Sequence, residues 1–347
     1  MRGRPSVLAI AAMMLASACS ASGSGRAATP TAEAASPTSS EITTPPMSAA
    51  SPHARAYAVM TDAPGKGVLL MGGQYGTPPG TALTDLWSFS PGEGWIQLEP
   101  ETGVIADAFA YDSDSKLIVL VGQDAAWTYD TVWTYDPSTR EWQELRTRGE
   151  HPRDVLGARM AYDAGSDRMI LFGGYDGRLN DQTWALDLGA RRWERMSPET
   201  SPPAQNWYAT AYEPDADRVI LFGDQQPGTW AYDYDTDTWT DLSPDSSPDV
   251  RDYSAMVYDP VGTRMILFGG VDAGEEPFGD TWAYDVRKNT WTELAPATSP
   301  SARGWHSMAF DGETKTVVLF SGGETRDTDL DDVWLFDPAT DTWSQLD

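Results

Sequence analysis

The chain of 347 residues contains one cysteine and three histidines. A single thiol excludes an internal disulfide framework. Catalytic transition-metal centres draw mainly on histidine and cysteine. With only His53, His151 and His306 available, no metal is expected. Basic residues are also scarce: 24 Lys and Arg stand against 52 Asp and Glu, for a formal net charge of −28. Such a surface repels nucleic acid and anionic lipid headgroups, so neither is an expected partner of the folded part. Solubility alone accounts for the charge. There is no phosphate loop, nucleophile elbow or zincin pattern, and the double glycines are not followed by helices, so no nucleotide or other cofactor is expected. Past residue 18 no stretch carries the period of a helix of ordinary length.

The ends of the chain differ from its middle. Met1–Ala18, "MRGRPSVLAIAAMMLASA", has a charged start, an apolar run and small residues after it, the layout of a secretory signal. The stretch "LASAC" that ends at Cys19 resembles the lipobox of bacterial lipoproteins, although Leu15 stands one place further from Cys19 than is usual. The resemblance implies cleavage before Cys19 and its lipidation; the alternative is an ordinary signal peptide. Residues 19–53 then form a tether of Ser, Thr, Ala and Pro, too poor in apolar side chains to offset its own ordering entropy. The expected location is extracytoplasmic, anchored by the lipid or else secreted, with membrane contact only through that anchor. Without residues 1–18, which carry Arg2 and Arg4, the net charge becomes −30.

Residues 54–347 are a repeat array. "MILFGGYDG" at Met169–Gly177 returns as "MILFGGVDA" at Met265–Ala273 and more loosely as "VILFGDQQP" at Val219–Pro227. Each of six such runs is followed by two tryptophans: Trp87 and Trp95, Trp133 and Trp142, Trp184 and Trp193, Trp230 and Trp239, Trp282 and Trp291, Trp334 and Trp343. A period of roughly 50 residues with glycine and aromatic marks is that of a propeller blade. In the third copy strand A falls around Arg159–Tyr162, strand B on "MILFGG", strand C on "QTWALD" and strand D on "WERM". Turns between them are rich in Asp, Gly, Pro and Ser. Aligning the A strands on Thr61, Tyr111, Tyr162, Tyr212, Tyr258 and Phe310 places small residues on one face and bulky ones on the other. The expected fold is all-β, a six-bladed propeller with four antiparallel strands per blade, whose first and last blades meet face to face.

"LFGGYDG", "DQTWALD" and "RRWERM" together resemble the kelch repeat, and six copies cover the chain after the tether. Copies two and four keep one glycine of the pair, and copy six shifts it by one residue. The resemblance implies a scaffold used for protein binding, for glycan recognition and in some cases for catalysis, so function has to be argued from a site. Copper oxidases similar to galactose oxidase share the architecture but need a cysteine–tyrosine link and paired histidines, and Cys19 is committed elsewhere.

The meander places the B–C loops and the starts of the A strands at one mouth of the ring. Trp207, Tyr253 and Trp305 lie there, five residues before the alignment position, with Tyr208, Arg251, Arg303 and His306 beside them and Trp127, Tyr175 and Arg178 in the B–C loops. Aromatic rings with guanidiniums suit a ligand cup for a protein or glycan; the same rings would also serve as a plug. Arg251 and Arg303 are expected just above their aromatic neighbours. An enzyme acting on sugars, of epimerase or lyase type, is the alternative, with acid–base groups among Asp176, Glu275, Arg303 and His306. "YDYDTDTW" at Tyr232–Trp239 reads as a C–D turn rather than a calcium loop. A monomer is expected.

Overall fold

A computed structural model describes residues 51–76, 80–99, 103–123, 131–153, 155–175, 177–223 and 228–346. Among these residues six four-stranded antiparallel sheets follow one another along the chain, spanning 59–99, 105–145, 159–195, 209–241, 255–294 and 307–346. Every sheet pairs its strands in sequence order. In the third blade they are Arg159–Asp163, Arg168–Phe172, Thr183–Asp187 and Arg192–Arg195, within two residues of the sequence expectation. The second strand of each blade is apolar because it is covered on both faces: Met169 to Phe172 are all buried, and so are Met265 to Phe268. Residues 1–50, including the signal stretch and Cys19, lie outside the described residues.

The blades adhere through the tryptophans of their outermost strands. Trp239, Trp291 and Trp343 each send the indole Nε1–H to a threonine hydroxyl on the preceding blade: Thr183 at 2.8 Å, Thr229 at 2.8 Å and Thr281 at 3.0 Å. Their rings meet Phe172, Phe222 and Phe268 edge-on at 5.1 to 5.3 Å. A buried ring with a satisfied indole combines large apolar burial with a fixed orientation, so the interblade contact repeats in register.

The ring closes without strand exchange. Ala58, Val68, Leu70 and Phe89 of the first blade share a core with Ala309, Val318 and Phe320 of the sixth. The backbone of Arg55 bonds the Ser321 hydroxyl at 2.7 Å, and Gly322 N–H returns to the Arg55 carbonyl at 3.1 Å.

Pairing corrects the alignment of the first copy by one residue. Asp62 lies opposite Val68 as Tyr258 lies opposite Met265, so Asp62, not Thr61, is the equivalent of Tyr111, Tyr162, Tyr212, Tyr258 and Phe310. Asp62 therefore puts a carboxyl where four blades carry a phenol. Burial raises its pKa to about 6, with Asp311 also raising it and the Gly312 N–H opposing. A carboxyl whose folded pKa lies above its unfolded value binds more protons when folded. Stability then falls as pH climbs between the two values, and the loss is complete above about 6. Asp62→Asn is expected to stabilise the protein at pH 7.5 by about 1–3 kcal/mol, since each tenfold change in proton affinity is worth roughly 1.4 kcal/mol. In urea titrations the difference from wild type should vanish as pH is lowered to 4. An advantage that persisted at pH 4 would deny the seam this role.

Candidate functional site

The upper mouth is built from the starts of the six inner strands and the loops between second and third strands. The two meet in short antiparallel bridges, Ala56 with Gln74, Leu156 with Tyr175, Asp252 with Val271 and Gly304 with Gly323. Inside them the chain makes the same left-handed kink in successive blades: Gly157 at φ 72°, Trp207 at 58°, Tyr253 at 56°, Trp305 at 60° and Tyr57 at 62°. Such angles are strained for bulky residues. Here they turn each N–H onto the preceding blade. Trp207 donates to the Gly157 carbonyl at 2.8 Å, Tyr253 to Trp207 at 3.0 Å, Trp305 to Tyr253 at 3.1 Å and Tyr57 to Trp305 at 3.0 Å. The result is a belt of hydrogen bonds from blade to blade around the axis. Gly157 lacks a side chain because Trp207 occupies its place: a Cβ there would come within 2.7 Å of the indole.

The side chains of the belt converge. Tyr57 lies 5.1 Å from Trp207 and 5.7 Å from Tyr253, while Tyr253 lies 5.5 Å from Trp207 and 5.3 Å from Trp305. Trp207, Tyr253 and Trp305 are buried, and Leu156, Tyr175 and Val271 pack around them. Burial pushes the Tyr57 phenol up to about 12. Three of these rings were legible as a mouth cluster. They pack on one another at tilted and edge-on angles, so of the two readings the sequence left open, cup and plug, this arrangement is that of a plug, a stopper in the mouth. Tyr57 was missed through the one-residue slip of the first copy; Arg55, two places before it as Arg251 and Arg303 precede Tyr253 and Trp305, was the available signal.

The arginines differ most from expectation. Arg303 does not rise above Trp305. Its side chain is 1% exposed and grips Asp332 through two bonds, Nη1 to Oδ1 at 2.6 Å and Nη2 to Oδ2 at 2.8 Å. Nη1 also reaches the Ser321 carbonyl at 3.1 Å, and the Trp334 indole donates to Asp332 at 2.7 Å. Arg251 repeats this with Asp280, Gly269 and Trp282, and Arg55 with Asp85, Gly72 and Trp87. Burial alone would push these carboxyls up; the guanidinium and indole outweigh it and hold Asp85, Asp280 and Asp332 below the usual range. An Arg–Asp–Trp clamp thus fastens the approach to the inner strand onto the start of the third strand in blades one, five and six. It leaves none of the three arginines a donor fork aimed at solvent.

The remaining candidates divide. Tyr208 is buried and its hydroxyl donates to the Phe172 carbonyl at 2.5 Å. His306 is 6% exposed against Phe268, and burial together with the Arg303 charge lowers its pKa to about 3, so it is neutral at physiological pH. Tyr175 is buried at the rim of the stopper. Arg178 is exposed on its loop. Trp127 and Asp176 lie outside the described residues. Of the acid–base set, Glu275 is paired with Arg326 at 2.7 Å, and Arg303 and His306 are buried. In "YDYDTDTW" Asp233 accepts the Thr236 N–H at 3.2 Å and Asp237 the Tyr232 hydroxyl at 2.9 Å, the bonding of a turn.

Six four-stranded blades around a stoppered axis define a β-propeller of the kind used as an interaction scaffold. Residues 108–240 and 225–347 match the KLHDC2/KLHL20/DRC7 Kelch-repeats domain, and the chain belongs to that Kelch-repeat family. It is also 33% identical over 123 residues to dynein regulatory complex subunit 7 of Chlamydomonas reinhardtii. That match covers 33% of this chain and spans about a tenth of the relative's length.

Proposed function

We propose that the propeller is an extracytoplasmic protein-binding module, held at a membrane by a lipid on Cys19, which receives its partner on the loops of its upper face. The stoppered axis carries this reading. With the central rings packed against one another at tilted and edge-on angles, the upper face offers a loop-built platform in place of a deep cleft, and that form suits a protein surface better than a small sugar or a reacting substrate. Around the stopper stand Tyr75, 41% exposed and stacked on His53, the exposed Arg178, and the Arg326–Glu275 pair. Aromatic and arginine side chains are the residues that anchor protein interfaces.

The test uses three full-length forms as bait in cell-envelope extracts. They are the wild type, an upper-face variant (Tyr75→Glu with Arg178→Glu), and a control on the opposite face, Val261→Glu, where a turn residue is 43% exposed. All three should melt alike. The wild type and Val261→Glu should retain the same partner, and the upper-face variant should lose it. A partner still bound by the upper-face variant and lost by Val261→Glu would move the site to the other side of the ring. Anchoring is separable: Cys19→Ser should release the protein into the medium and end its labelling by a fatty-acid probe. An unchanged membrane fraction would refute the anchor and leave the binding face untouched.

A further inference from the structure

At the mouth opposite the stopper, the inner strands of blades two to six each end on an acid: Asp112, Asp163, Glu213, Asp259 and Asp311. All five are no more than 1% exposed. Each caps the turn that follows it, as Asp163 does by accepting the Ser166 N–H at 3.1 Å. The last residue of that turn is left-handed in every one of these blades: Lys116, Asp167, Asp217, Thr263 and Lys315. Blades two and six thus carry a lysine where the fourth blade carries Asp217.

Asp217 turns onto the third blade. Its Oδ1 accepts the Tyr212 hydroxyl at 2.7 Å, and the Tyr212 oxygen in turn accepts the Gly165 N–H at 3.0 Å. Gly165 permits the approach, because a Cβ there would come within 2.2 Å of Asp217 Oδ1. At the preceding seam Asp114 fills that place, and Asp167 stays on the Tyr162 hydroxyl at 3.0 Å. The Asp217 carboxyl thereby comes within hydrogen-bonding reach of the Asp163 carboxyl. The neighbouring charges are engaged elsewhere. Arg168 pairs with Asp187 at 3.0 Å and Arg218 with Asp233 at 2.9 Å, while Glu213 accepts from the N–H groups of its own turn. Asp259, by contrast, is met by Arg264 at 3.1 Å. Burial and the two carboxylates push the Tyr212 phenol up, so it stays protonated and donates to Asp217.

Two carboxylates in contact repel each other, and a proton between them replaces the repulsion by a short hydrogen bond. We propose that Asp163 and Asp217 hold one proton in common and form an acid-strengthened latch between the third and fourth blades. Burial, together with the Asp217 charge, raises the Asp163 carboxyl above its ordinary range against the opposing Ser166 bonds. A group that keeps its proton to higher pH in the folded ring than in the unfolded chain stabilises the fold in acid, and that contribution is lost as pH rises through its folded titration. The latch is therefore shut at low pH. Once the proton leaves, the carboxylates repel and the bond from Gly165 to Tyr212 remains. This face is opposite the partner platform, so the latch is independent of the binding reading.

The test compares wild type with Asp217→Asn by urea titration of the full chain from about pH 4 to about pH 9, the span over which a raised carboxyl titrates. The amide donates to Asp163 where the shared proton stood, and its oxygen still accepts from Tyr212. The variant should gain on the wild type as pH rises, by at least about tenfold in the folding constant between the two ends, the equivalent of one pKa unit. The ease of asparagine in the left-handed region adds the same offset at every pH, and Asp62 is common to both proteins. In the wild type the side-chain carboxyl carbon resonances of Asp163 and Asp217 should titrate in two separated steps, the upper one above the ordinary aspartate range. In Asp217→Asn the Asp163 resonance should titrate once, at lower pH than that upper step. Where the variant fails to fold, the wild-type resonances decide. A constant offset between the two proteins, or two carboxyls that each titrate as exposed aspartates do, would overturn the proposal. A rise in wild-type Tm with added calcium at high pH, lost in Asp217→Asn, would assign the pair to a metal ion in place of a proton and overturn it equally.

Discussion

Arg303→Ala is expected to destabilise the propeller by about 3–5 kcal/mol, the usual consequence of breaking a buried ion pair by removing one partner. The guanidinium is 1% exposed and makes bonds to Asp332, the Ser321 carbonyl and Ser301, so its removal strands a carboxylate that is itself only 18% exposed. Two nearby groups lose their reference as well: the Trp334 indole shares Asp332, and the approach to the last inner strand is no longer tied to the start of the third strand. In a domain of this size the loss amounts to a Tm drop on the order of 10 °C. Arg303→Met combined with Asp332→Asn should recover much of it, since the asparagine oxygen still accepts from Trp334 and no charge is left alone. Melting curves of the single and double variants decide the matter. If Arg303→Ala kept its Tm and lost partner capture, the guanidinium would belong to a ligand site after all.

The second large effect is expected at Trp291. It is 3% exposed, its indole donates to Thr229 on the neighbouring blade at 2.8 Å, and its ring packs on Tyr284 at 4.8 Å and Phe222 at 5.3 Å. Trp291→Ala should cost about 3–5 kcal/mol, as truncation of a buried large aromatic does. Trp291→Phe should cost less, because most of the burial remains and chiefly the bond to Thr229 is lost. Trp193, 2% exposed in the core between the second and third blades, should behave like Trp291. Denaturant titrations measure these differences directly. A Trp291→Ala protein as stable as the wild type would mean that the blades do not rely on this contact.

The blades were legible because their signals are local. Alternating strand patterns, Asp- and Gly-rich turns and the paired tryptophans recur within each copy, and the described strands fall where those signals put them. The first copy hid its register. A turn one residue shorter than in the third blade, between Ser90 and Gly94, brings Trp95 closer to Trp87, and Asp62 replaces the tyrosine that marks four of the other copies. Tyr57 was lost from the mouth cluster for that reason. The arginines were misplaced for a different one. Their partners lie 29 or 30 residues away across a variable loop, and a sequence position beside an aromatic residue does not tell whether a side chain turns to solvent or inward. The pairing of "RGW" with "DVW", and of "RDY" with "DTW", becomes readable only once the pleat brings the two strand ends together.

Amide hydrogen exchange of the native protein, resolved at Tyr57, Trp207, Tyr253 and Trp305, tests most directly whether the upper mouth is closed. Each of these amides is engaged to the preceding blade in a single belt, so they should open only with the whole ring and exchange as slowly as the buried amides of the second strands, such as Leu267 and Leu319. Exchange of the four at the rate of exposed loops would mean that the rings part in solution, and the mouth would then be a cup.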